Sequence, residues 1–117
     1  MKRWQKIVAA LLGLWVAGEA TLYLGFGLGA PALSVADPQI EYMFKPDQDL
    51  RRFGNRIRIN HWGMRADDFG AKQPGELRVL VWGDSVINGG APTDQAKLAT
   101  EIIRRELAQG RKAPVTV

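Results

Sequence analysis

Val79-Leu80-Val81-Trp82-Gly83-Asp84-Ser85-Val86 is the stretch on which the reading of this chain turns. Four consecutive apolar residues fit a short buried strand, and Gly-Asp-Ser then stands where that strand opens into a loop. In α/β proteins, reacting groups gather at this end of the sheet. Ser85 is therefore the candidate nucleophile. Gly83 and Asp84 before it and Gly89 after it form a candidate substrate loop, with Gly89-Gly90 letting the backbone pass close to a ligand.

Working outward, Pro92-Thr93-Asp94 has the chemistry of a helix start. Thr93 is placed to cap free N–H groups, and Asp94 lies against the positive end of the dipole. Leu98, Ala99, Ile102, Ile103 and Leu107 predict a buried stripe on a helix running to about Gln109, with Arg104 and Arg105 in its last turns and Gly110 closing it. Val115-Thr116-Val117 opens a second parallel strand. Strand, helix and strand over 77–117 make one right-handed crossover unit.

The N-terminal third is of a different kind. Ile7 to Gly29 holds ten large aliphatic or Phe residues and one charge, Glu19. Those ten contribute about −3 to −6 kcal/mol to membrane insertion, against about 2.5 to 3.5 kcal/mol for a central acidic residue. Insertion wins, and the run has the roughly 20 residues that a bilayer core requires. Lys2, Arg3 and Lys6 precede it, which keeps the N-terminus cytoplasmic and sends the remainder across the cell membrane as a single-pass protein. Ser34-Val35-Ala36 offers small residues at signal-peptidase spacing, but the apolar run exceeds the roughly 7 to 15 residues of a signal core, so an anchor over residues 1–36 is the stronger reading. Ala9, Gly13 and Ala17 recur on one face and would let a partner helix pack closely, although small residues are common in membrane spans anyway.

Between anchor and crossover, residues 37–76 form a lead-in with two expected strands. Ala36-Asp37-Pro38 reads as an extended linker. Ile40-Glu41-Tyr42-Met43-Phe44 alternates weakly, Arg56-Ile57-Arg58-Ile59-Asn60 strictly, and the two are expected to pair antiparallel, with Ile57 and Ile59 on one face. Arg51, Arg52, Arg56 and Arg58 are the only dense basic stretch in a chain of net charge +4. They lack the wide basic face with aromatic platforms that nucleic acid requires, and read as a solvated surface.

Gly83-Asp84-Ser85-Val86 with Gly89 resembles the Gly-Asp-Ser-x-x-x-Gly first block of the SGNH (GDSL) hydrolases. Asn60-His61-Trp62-Gly63-Met64-Arg65 is similar to the Asn-x-x-Gly-x-Arg lead-in that precedes this block in some membrane-anchored members. The resemblance implies an α/β fold, here the incomplete opening of a three-layer, flavodoxin-like hydrolase domain behind one transmembrane helix. It implies hydrolysis or transfer of an ester-linked acyl group outside the cytoplasm, with Ser85 as nucleophile and its N–H as an oxyanion donor. Asp84 then stabilises the loop and is not the triad acid. Carbohydrate, lipid and small-ester substrates all fit, and no cofactor is implied.

The later blocks, an oxyanion Gly and Asn and an Asp-x-x-His, do not occur in these 117 residues. The single histidine, His61, has no Asp three residues before it and reads as a loop histidine satisfied by hydrogen bonds. Asp67-Asp68 is expected to point apart into solvent. Gly25-Phe26-Gly27-Leu28-Gly29-Ala30 follows an apolar helix where a dinucleotide fingerprint needs a strand, and Gly83 to Gly90 lacks the Lys-Ser/Thr of a phosphate loop. With no cysteine and no ligand cluster, no metal is expected. The competing reading is a truncated, non-catalytic single-pass membrane protein.

Overall fold

The computed structural model describes residues 2–117 and combines helices with three small two-stranded sheets, none of them closed. Helix α1 runs from Arg3 to Phe26, is apolar enough to cross a membrane, and has none of its residues buried by the rest of the chain. It is capped at Gly27, before Gly29-Ala30-Pro31. Gly27 adopts φ 65°, and its N–H and that of Leu28 close back onto the Tyr23 and Leu22 carbonyls. A left-handed glycine stops a helix as firmly as a proline does.

The lead-in contains two hairpins, which corrects the expected strand pairing. β1 (Ser34–Asp37) pairs antiparallel with β2 (Glu41–Phe44), and β3 (Gln48–Arg52) with β4 (Asn55–Ile59). The supposed linker is thus a strand and its turn: Asp37 stays extended before Pro38, as the last residue of β1, and its carboxylate accepts the N–H groups of Gln39 and Ile40 to close a local side-chain turn. Phe53 and Gly54 join β3 to β4, both at positive φ (50° and 78°), the mirror-image turn whose twist suits a two-residue hairpin. Strict alternation along β4 does put Ile57 and Ile59 into the core, 5% and 1% exposed.

The crossover is present in reduced form. β5 (Leu77–Arg78) lies parallel to β6 (Val115–Thr116), and only Val79 extends the ladder, its N–H reaching the Thr116 carbonyl at 2.8 Å. Val79 to Trp82 is therefore not the strand the sequence predicts. Among the described residues nothing pairs with this run beyond Val79 or covers it, so Leu80 and Trp82 stand 78% and 93% exposed. After the one-turn helix α2 (Ser85–Asn88) comes a 3₁₀ turn over Gln95–Lys97 and then α3 (Ala99–Ala108). The cap at Gln95 is Asp94, which accepts the Ala96 N–H, and not Thr93. Leu98 breaks the run between the two and is 2% exposed, while Ile102, Ile103 and Leu107 lie open at 37% or more. The expected stripe is present as a pattern, but among the described residues only its Leu98 is buried.

Candidate functional site

Gly83 and Asp84 lead directly into α2, and Ser85 is its first residue. The Asp84 carboxylate accepts the Val86 N–H at 2.9 Å, so this aspartate holds the turn together as a cap. The helix closes at once, because the Gly89 N–H returns to the Ser85 carbonyl and Gly89 itself sits at φ 75°. A side chain at Gly89 would press on Leu98 and Thr93, and one at Gly83 would collide with Ile87. Both glycines are thus fixed by space. Ser85 is exposed, and among the described residues neither its hydroxyl nor its N–H has a hydrogen-bond partner.

Beside this turn opens a cavity of about 540 Å³ with a largely apolar lining that includes Phe69, Val79, Val81, Gly83, Ile87 and Thr100. Ser85 itself does not line this cavity, although Gly83, Asp84, Ile87 and Asn88 on either side of it do. An exposed hydroxyl and a free N–H near an apolar groove are the first requirements of acyl chemistry. A base is the next. No hydrogen bond joins His61 to Ser85 among the described residues, and His61 does not line this cavity; its Nδ1 lies 3.1 Å from Asp47 Oδ2 and its backbone N–H goes to Asp68.

The residue that sequence reasoning left without a role is Arg65. Its guanidinium donates to the carbonyls of Asn88 (2.7 Å), Gly90 (2.6 Å) and Thr93 (2.6 Å), tying together the whole loop that follows Ser85. Burial pushes this guanidinium below its ordinary pKa, against the pull of nearby Asp94. The rest of Asn60-x-x-Gly-x-Arg aims it. Asn60, 1% exposed, accepts the Trp62 and Met64 N–H groups on its side-chain oxygen and donates its own N–H to the Met64 carbonyl. Gly63 completes the turn at φ 72°. The spacing of these polar residues was the available signal, and only the fold shows what it joins.

The same joint is bolted a second time along the free edge of β4. The Arg56 N–H goes to Asp94 Oδ2 and the Arg58 N–H to Gln95 Oε1, while Asn55 reaches the Ala91 and Pro92 carbonyls. The Arg56 and Ala96 N–H groups hold the Asp94 carboxyl below its usual range. Side chains from the 3₁₀ turn thereby blunt an exposed strand edge. Arg58 also corrects an expectation: Asp67 and Asp68 do not point apart but both engage its guanidinium, at 3.0 and 3.1 Å, because a planar fork accommodates two carboxylates at once. The basic stretch is thus partly ion-paired, with Arg56 on Asp49 as well.

No family model matches this chain, and no curated protein or solved structure matches it either. No group of three or more His, Cys, Asp or Glu side chains among the described residues could hold a metal ion.

Proposed function

We propose that this chain carries the nucleophile segment of a membrane-anchored, extracytoplasmic ester hydrolase or acyl-transfer enzyme of SGNH type. Its N-terminus is cytoplasmic and α1 is the single anchor. Ser85 Oγ attacks the ester carbonyl, its proton passes to a base, and the alcohol leaves. Water or a second alcohol then releases the acyl group. The N–H of Ser85 is one donor to the oxyanion. Gly83, Asp84 and Gly89 shape the loop against which the acyl group lies.

The observation that carries this reading is the coincidence at Ser85: a serine opening a capped turn, its hydroxyl and N–H both unengaged among the described residues, between Gly83-Asp84 and Ile87-Asn88, which line an apolar groove. Among the described residues no hydrogen bond joins Ser85 to a base, and the one histidine, His61, pairs with Asp47 instead. The test is hydrolysis of short activated esters by membranes that express the gene's whole reading frame, with and without Ser85→Ala. Turnover that disappears in the variant supports the proposal. Turnover that survives Ser85→Ala, or none at all from a correctly inserted protein, favours the non-catalytic membrane protein.

A further inference from the structure

The tip of the β3–β4 hairpin is built in a way that neither the core nor the Ser85 loop explains. Phe53, a bulky residue, is held at φ 50°, a backbone region it enters only at a cost, and it stands 51% exposed. Arg51 lies directly across the ladder from Arg56, a like-charge pair that disfavours the hairpin by itself. Arg56 is neutralised by Asp49, but among the described residues Arg51 and Arg52 have no carboxylate partner. Strain, an open aromatic and two unpaired cations coincide on one turn.

The place of that turn supplies the reason. Arg52 Nη1 lies 3.5 Å from the Gly27 carbonyl at the end of α1, and a side chain at Gly27 would collide with the Arg51 carbonyl. The hairpin tip is thus seated on the end of the membrane span. From Ile7 to Phe26 the helix rises about 30 Å, the thickness of a bilayer's hydrocarbon core. Gly27 then falls at the boundary of that core, and the tip that touches it falls among the lipid headgroups. Arg52 also stacks its guanidinium 4.8 Å from the centre of the Phe53 ring, a pair with an apolar body and a cationic rim.

Resting on the membrane-anchor reading of α1, we propose that Arg51, Arg52 and Phe53 form a docking site for anionic phospholipid headgroups, with Phe53 dipping to the acyl boundary. Asn55 connects the same turn to the Ala91 and Pro92 carbonyls, so docking settles the Ser85 loop close to the membrane surface. Substrates presented at that surface are the ones this arrangement serves.

The test is hydrogen exchange across Gln48–Ile59 of the full chain in nanodiscs of phosphatidylglycerol with phosphatidylcholine, and of phosphatidylcholine alone. Amides at Phe53 and Gly54 should exchange more slowly in the anionic discs. Each of Arg51→Gln and Arg52→Gln should lower that protection about fivefold, the worth of one basic residue at an anionic surface. Phe53→Asn, which suits the turn better and so keeps the hairpin, should lower it too. Equal exchange in both compositions with the chain still co-eluting with the disc overturns the docking site alone. A chain that separates from the disc overturns the anchor as well. Inorganic phosphate added to phosphatidylcholine discs should protect nothing, and protection there would assign the arginines to a free anion.

Discussion

The lead-in and the Ser85 segment are of similar length and are folded by different means. Between Gln48 and Arg65 the chain closes a hairpin, buries Ile57 and Ile59, and engages Asn60 on both its donor and acceptor sides. Between Val79 and Val86 it exposes Leu80, Trp82 and Val86 at 78 to 93% and has one backbone bond to a neighbouring strand. The first region closes its hairpin and the Asn60 turn through contacts a few residues apart. The second is an apolar run that needs strands on both sides and a layer above. The ties to the lead-in lie just beyond it, from Arg65 to the Asn88, Gly90 and Thr93 carbonyls and from the Arg56 and Arg58 N–H groups to Asp94 and Gln95. The candidate nucleophile therefore stands on a loop positioned from outside its own sheet.

That asymmetry can be broken at Arg65. Arg65→Ala leaves the carbonyls of Asn88, Gly90 and Thr93 without their shared donor, and truncating hydrogen bonds of a charged group costs about 2 to 3 kcal/mol. Chemical denaturation should show that loss, with Arg65→Lys recovering a part of it, since an ammonium keeps the charge but not the fork. An unchanged midpoint would mean that the two regions are not joined there. Asp94→Ala removes both the cap on Ala96 and the acceptor for the Arg56 N–H. Those two amides should exchange about five- to tenfold faster while Gln48 and Ile59 keep their pairing.

How far this contrast was legible in the sequence follows from the range of each interaction. The long apolar helix was legible from its composition and length, and the burial of Ile57 and Ile59 from alternation, signals that are local and survive without a partner. The Gly-Asp-Ser turn was legible for the same reason, since Asp84 caps its own neighbour. The clamp at Arg65 reaches across 23 to 28 residues and the bolt from Asp94 to Arg56 across 38, and bonds of that reach leave no period in the chain. The strand pairing was missed because an extended residue before proline reads equally as linker or strand, and the turn that makes it a strand rests on the Asp37 carboxylate bonding to Gln39 and Ile40. Val79 to Trp82 was misread because four apolar residues record what a strand needs, not whether it has received it.

The smallest expected effect sharpens the comparison at the other end of the Ser85 segment, where Glu76 ties β5 to β6. The Thr116 hydroxyl, the Gln73 N–H and Arg78 hold its carboxyl at about 2, below the ordinary 4.5. Folded, Glu76 resists protonation more than it does unfolded, so its contribution is complete above about pH 4.5 and is lost as the pH falls toward 2. The amides of Leu77 and Val79, bonded to Pro114 and Thr116, should lose protection over that window in proton-exchange spectra, while Ile57 and Ile59 hold theirs. Loosening of both regions together would place Glu76 in a single cooperative unit.

The central proposal is that Ser85 is the nucleophile of an acyl-transfer site and depends on a base that the described residues do not bond to it. The chain has two serines, Ser34 and Ser85, and trypsin releases Val79–Lys97 with Ser85 as its only serine. A fluorophosphonate applied to the protein of the whole reading frame should mark that peptide and leave the Ser34 peptide clean. The isolated 117-residue chain should take no label at Ser85, since loss of a triad base alone removes on the order of 10⁴ to 10⁶ in rate. A mark on Ser34, or no mark on Val79–Lys97 in either protein, would contradict the claim.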